Sequence, residues 1–202
     1  MGIFSPEGKL ARFLNRIGDL IWLNILMLVC CIPIVTIGAA LAAMFQITLK
    51  MVKNEEGVIT TSYFHAFKEN FKQATAIWLI GGGISIVLFL DIWLLGKVNY
   101  NFVQTYKIIL FVIMLFVLMF TFFSLVVSAR FENVLKNTIK NGLLFCMIHI
   151  FKSILMFIVM LTPVLLTGIS LRFLPLIVLL GAAGPAFLTS IYFRDLFKDF
   201  EV

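Results

Sequence analysis

Cys30-Cys31-Ile32-Pro33-Ile34-Val35-Thr36-Ile37-Gly38-Ala39-Ala40 interrupts an apolar run that is too long for one ordinary membrane span. Between Ile17 and Leu49 the strongly polar side chains are Asp19, Asn24 and Gln46; as one straight helix this stretch would reach roughly 50 Å. The hydrocarbon core of a bilayer is only about 30 Å thick. Pro33 has no amide hydrogen and disfavours the α conformation at Ile32. Thr36 can start a new helix by capping it with its hydroxyl, and Gly38 lets two backbones approach closely. The reading is a helical hairpin over residues 14–53 with its tip at 33–38, held by Pro33, Thr36 and Gly38.

Working outward, the whole chain shares this character. Of its 202 residues 62% are apolar and 13% charged, and the mean hydropathy is +1.10, far outside the range of soluble domains. The apolar stretches lack the period-two alternation of an outer-membrane barrel strand. The chain therefore reads as a single membrane domain over 1–202. Its class is all-α, a polytopic transmembrane helical bundle. The N-terminal stretch sets Lys9, Arg12, Arg16 and Asp19 among Phe4, Leu10, Phe13 and Leu14 without a small-residue cleavage site, which reads as a retained amphipathic approach to the membrane.

Six membrane segments are expected, at about 14–32, 36–51, 74–96, 106–129, 153–170 and 174–193; there are five if 14–51 is one tilted span. The positive-inside rule separates these alternatives. With six segments the inner side holds Lys9, Arg12, Arg16, Lys50, Lys53, Lys68, Lys72, Arg130, Lys136, Lys140, Lys152, Arg194 and Lys198, and the outer side Lys97, Lys107 and Arg172. With five, Lys9, Arg12 and Arg16 move outside and the asymmetry shrinks. The expectation is a multi-pass protein of the cell membrane with both termini cytoplasmic. The net charge of +6 is explained by this placement at span ends and gives no reason to expect nucleic acid.

Two amphipathic stretches fall on the inner side. In 60–73, Phe64, Phe67 and Phe71 share one helical face while Lys68 and Lys72 lie on another. In 130–142, Lys136 and Lys140 are again one turn apart, with Arg130 and Asn133 before them. Both are expected to be cytoplasmic-side helices. As an interfacial anchor each needs only apolar and basic faces. As a docking surface the pair would present Phe64, Phe67, Lys68, Asn70, Phe71, Lys72, Arg130, Asn133, Lys136 and Lys140 to a partner.

Inside the spans, chemistry is sparse. Asp91 and Gln46 are the candidate intramembrane polar site, with Lys97 close enough in sequence to pair with Asp91. His149 reads as interfacial, and Cys30, Cys31 and Cys146 as small apolar packing residues. No nucleophile, base and acid recur at one depth, no metal-ligand spacing is present, and no phosphate loop energises transport. A non-enzymatic protein without cofactors is expected. Gly181-Ala182-Ala183-Gly184-Pro185-Ala186 echoes Gly38-Ala39-Ala40-Leu41-Ala42-Ala43, so two small-residue helices are expected to pack together at the bundle centre.

Three stretches, Pro33 to Ala43, Tyr63 to Ala74 and Ala129 to Asn141, together resemble the YesL-like family of small bacterial membrane proteins. The resemblance implies a multi-pass inner-membrane protein without an established biochemical activity. It also implies a helper role in sugar uptake, since family members are often encoded beside carbohydrate ABC permeases. The partners expected are the lipid bilayer and a carbohydrate ABC permease. The alternative is a small passive pore or facilitator, which needs a polar stripe along several spans.

Overall fold

The computed structural model describes residues 9–96, 101–130, 135–148, 150–170, 172 and 174–197. These residues are helical almost throughout, with no strand among them. The helices are α1 (Lys9–Cys30), α2 (Ile37–Lys53), α3 (Ile59–Leu95), α4 (Asn101–Arg130), α5 (Leu135–Ile148), α6 (Ile150–Ile169), α7 (Leu174–Leu180) and α8 (Ala183–Phe197). Four stretches, Ala11–Cys30, Ile34–Lys53, Ile59–Leu95 and Phe102–Arg130, are long and apolar enough to cross a membrane. A fifth arises if α5 and α6, bent by 105°, count as one. The protein is thus an all-helical, membrane-embedded bundle.

The chain turns between α1 and α2 through a short 3-10 segment, Ile34–Thr36, entered from Pro33 in an extended conformation. Thr36 does not cap α2 as expected: it sits in the helical region and makes no side-chain cap. Its hydroxyl instead points back to the carbonyls of Cys30 (2.6 Å) and Pro33 (2.8 Å). The last turn of α1 leaves carbonyls without intrahelical partners, and the 3-10 turn brings the hydroxyl beside them. Gly38 then meets α3: a Cβ there would lie 2.5 Å from the Cβ of Trp78 and would collide with the carbonyl oxygen of Ala74. The Trp78 indole N–H donates to the Ile34 carbonyl at 3.0 Å.

At its other end α2 closes on Asn54, which adopts the left-handed conformation (φ 58°). The amide of Glu55 donates to the Lys50 carbonyl at 3.0 Å. Lys50 and Lys53 occupy the last turn, where positive charge complements the helix dipole.

Two expected elements are corrected. The stretch 60–73 is not a separate surface helix. It is the first part of α3, which runs 37 residues without interruption, about 55 Å. Nothing between Gln73 and Ala74 breaks a helix, since both residues favour it. The last segment, 174–193, is not one helix but two, divided at Gly181-Ala182. Pro185 falls in the first turn of α8, where its missing N–H costs no intrahelical bond.

Proline is accommodated differently inside α6. Pro163 cannot donate to the Val159 carbonyl four residues back, and the Thr162 hydroxyl donates to that carbonyl instead, at 2.5 Å.

The core lies where α2 meets α3, α4 and α8. Ala39, Ala40, Ala42 and Ala43 are wholly buried, as are Ala183 and Ala186. Small side chains on both helices allow close approach, and the Thr48 and Ser190 hydroxyls meet at 2.8 Å. The two small-residue helices therefore pack together in the bundle centre. Beside them Phe123 packs edge-on to Phe122 (5.5 Å between ring centres) and Phe193 (5.8 Å). Phe45 reaches Phe122 in the same way at 5.3 Å.

Candidate functional site

The polar side chains fall into four main places, the last at the foot of the hairpin. The first is the helix break. Asn24 is fully buried on α1, and its Oδ1 accepts the amides of Ala182 and Ala183, each at 3.0 Å. Its Nδ2 donates to the Val178 carbonyl at 2.7 Å. One amide side chain thereby serves the last turn of α7 and the first turn of α8, the two sets of backbone groups that a broken helix leaves open.

The second place is the α2–α3 contact. The buried stripe of α3 is Ile59, Tyr63, Ala66, Asn70, Ala74, Ile77, Gly81 and Ser85, a helical repeat whose small members let α2 come close. Asn70 donates to Gln46 Oε1 at 2.6 Å and to the Ala66 carbonyl at 2.9 Å. Gln46 in turn donates to Glu69 at 3.3 Å. Tyr63 is buried and donates to the Ala40 carbonyl at 3.3 Å.

Asn70 therefore cannot contribute to a docking surface. It is only 7% exposed and is spent on holding α2. Gln46 and Asp91, expected as one polar site, are not brought together. Gln46 pairs with Asn70, whereas Asp91 lies exposed near the other end of α3, some 30 Å farther along the helix at 1.5 Å per residue. Lys97, the expected partner of Asp91, lies outside the described residues, as do Asn133 and His149.

The third place is the outer face of the first four turns of α3. Phe64, Lys68, Phe71 and Lys72 are exposed, with Phe67 half-buried against the core. On α5, Lys136 and Lys140 are exposed as well, while Arg130 at the end of α4 is half-buried. The Gln73 amide donates to the Thr138 hydroxyl, which ties the two amphipathic stretches to each other. His65 lies 3.6 Å from Glu69 one turn on.

At the foot of the hairpin, Arg16 pairs with Glu56 and donates to Asn54 Oδ1 at 2.6 Å, and the Trp22 indole donates to Thr60 at 2.9 Å. Among the described residues no group of three His, Cys, Asp or Glu side chains is placed to hold a metal. Several interior hydroxyls turn back on their own helices, whereas the buried hydroxyls of Thr75 and Ser124 make no hydrogen bond. Ser85 donates to Gly81, Thr121 to Val117, Ser128 to Leu125 and Thr189 to Pro185 and Ala186.

A family model described as Protein of unknown function, DUF624, matches residues 20–92. The match runs from the middle of α1 almost to the end of α3 and so takes in the hairpin, the Gln46–Asn70 contact and the exposed face of α3. No curated protein and no solved structure matches the chain.

Proposed function

We propose that this chain is a non-enzymatic, multi-pass component of the bacterial cell membrane that acts as an accessory partner of a carbohydrate ABC uptake system, with both termini cytoplasmic. The reading draws on the YesL-like resemblance, with which the match to an uncharacterised family over 20–92 is consistent. In the membrane, α1 and α2 form the hairpin, and the last segment crosses as the broken pair α7–α8, giving six segments. The basic residues then collect on the inner side. The first four turns of α3 and helix α5 form the cytoplasmic-side surface.

The observation that supports the accessory role over a pore is that Ser85, Thr121, Ser128 and Thr189 close their hydroxyls on their own helices and that the few unbonded ones, such as Thr75 and Ser124, are scattered and buried. Hydroxyls bonded in this way have given up their donor, and scattered singly they do not line up as a hydrated stripe. The surface offered to a partner is Phe64, Lys68, Phe71 and Lys72 on α3 with Lys136 and Lys140 on α5. Asn70 no longer belongs to it.

The test is recovery of the permease subunits with the tagged chain from native membranes after mild solubilisation. Permease should co-purify, and the Lys68→Glu, Lys72→Glu variant should lose most of it at unchanged abundance. Full recovery with the variant would remove this surface from the proposal. Absence of permease from the unaltered complex would overturn the accessory role.

A further inference from the structure

A cavity of about 520 Å³ opens between α1, α6 and the α7–α8 break. Its walls are apolar, contributed among others by Ile17 and Leu20 of α1, Leu166 of α6 and Leu180 of α7. The break creates the space: at Gly181 and Gly184, which line it, the backbone stands where a side chain would fill the gap. A Cβ at Gly184 would meet only Leu180, at 3.7 Å. Pro163 lines the opposite wall.

Water gains little in such a space, because a buried water needs two to four polar partners. The rim faces outward through Phe13 (62% exposed) and Leu188 (56% exposed). The apolar exterior of α6 continues from it through Leu155 and Leu165. The cavity is therefore a side opening in the lipid-facing surface.

One wall residue is charged. Arg16 lies in the cavity lining with its guanidinium 6.0 Å from the Phe187 ring centre. Glu56 and Asn54 each take one of its donors, and a guanidinium has five. Arg12 stands one turn earlier on α1, and among the described residues Arg16 is the one charged side chain that reaches the cavity itself, its pair Glu56 lying outside the lining.

We infer that the cavity is a binding site for one anionic phospholipid of the surrounding bilayer, with an acyl chain laid along the α7–α8 break and the phosphate at Arg16. The chain fills apolar volume that the break leaves open, and each buried methylene favours its retention. The phosphodiester takes the remaining Arg16 donors, the chemistry by which basic pockets between membrane helices hold lipid headgroups.

The experiment is native mass spectrometry of the detergent-purified protein after exchange into phosphatidylglycerol or phosphatidylcholine, alongside labelling by a phosphatidylglycerol with a photoreactive acyl tail. The unaltered protein should keep one phosphatidylglycerol at activation energies that strip surrounding lipid. It should retain it at least fivefold more than phosphatidylcholine, and the tail label should fall on α1, α6 and α8. Gly184→Leu and Leu166→Trp, which fill the cavity, should each reduce retention about tenfold with the melting transition preserved. Arg16→Gln should erase the preference for phosphatidylglycerol while tail labelling persists.

Retention that is unchanged in a folded cavity-filling variant would overturn the site, and so would a tail label spread evenly over the lipid-facing helices. If neither filled variant folds, the labelling pattern on the unaltered protein decides alone.

Discussion

With Asn24 replaced by Leu, the amides of Ala182 and Ala183 and the carbonyl of Val178 lose their shared partner in a setting where no helix can supply another. A buried backbone group left unsatisfied costs about 1–3 kcal/mol, so Asn24→Leu should lower the melting temperature in detergent more than any other single polar-to-apolar exchange in the spans. Asn24→Asp offers both an acceptor and an O–H donor only as the neutral acid, so it should be less stable than the parent and lose further stability as rising pH ionises the carboxyl beside the Val178 carbonyl. A melt indistinguishable from the parent would show that the break is satisfied in another way. In the sequence Asn24 is a lone polar side chain in an apolar run. Its partners lie more than 150 residues away along the chain, a distance over which no periodicity reports a pairing. Thr36 is the opposite case: its role at the hairpin tip can be read from the Pro33 spacing. Which of two helix ends its hydroxyl serves depends on the 3-10 turn that intervenes.

The helices carry their own tests. In α3, Gly81 abuts Thr121 of α4, where a Cβ would come within 2.7 Å of the threonine Cγ2, while Gly82 has nothing within 4 Å. Gly81→Ala should therefore destabilise by about 1–3 kcal/mol through overpacking. Gly82→Ala should be neutral or stabilise by about 0.5–1 kcal/mol, since alanine is the better helix former. Chemical denaturation of the two variants side by side would check the ordering, and equal effects would mean that α3 and α4 are not in contact there.

In α6, Thr162→Val should cost about 1 kcal/mol by leaving the Val159 carbonyl open. The same exchange in a Pro163→Ala background should cost nearly nothing, because the alanine amide restores the missing donor. A double-mutant cycle with no coupling would rule out the substitution of hydroxyl for amide.

These contacts explain what the sequence shows of α3. Its apolar half is plain from hydropathy, and the Phe64, Phe67, Phe71 spacing reveals the helical period of the remainder. The stripe that is actually buried, Tyr63, Ala66, Asn70 and Ala74, is less hydrophobic than the aromatic face. Close helix packing selects small residues over large ones, so a reading by hydrophobicity does not single out this stripe. It also placed a helix boundary where the change from charged to apolar residues is only a change of surroundings.

For the molecule as a whole, the proposed topology makes a direct prediction. After Cys30, Cys31 and Cys146 are replaced by Ala, single cysteines introduced at Ser5 and at Glu201 should both resist an impermeant thiol reagent in intact cells and react after permeabilisation. A cysteine at Arg172 should react in intact cells. Labelling at Ser5 without labelling at Glu201 would establish the five-segment arrangement. The helical, membrane-embedded class can be read from uninterrupted apolar runs because each span must satisfy its own backbone. The division of the last segment cannot, since a glycine and two alanines are as common within a packed membrane helix as at its interruption.

The clamp at Asn24 also sets an order of events during synthesis. α1 leaves the ribosome long before α7 and α8. Until α7 and α8 are delivered, the Asn24 amide waits without the backbone groups it holds in the finished bundle. Chain growth at about 5–20 residues per second makes that wait many seconds long. Through this interval the amide must be sheltered by the insertion machinery or by transient contacts, and nascent chains stalled before residue 183 should be preferred targets of membrane proteolysis.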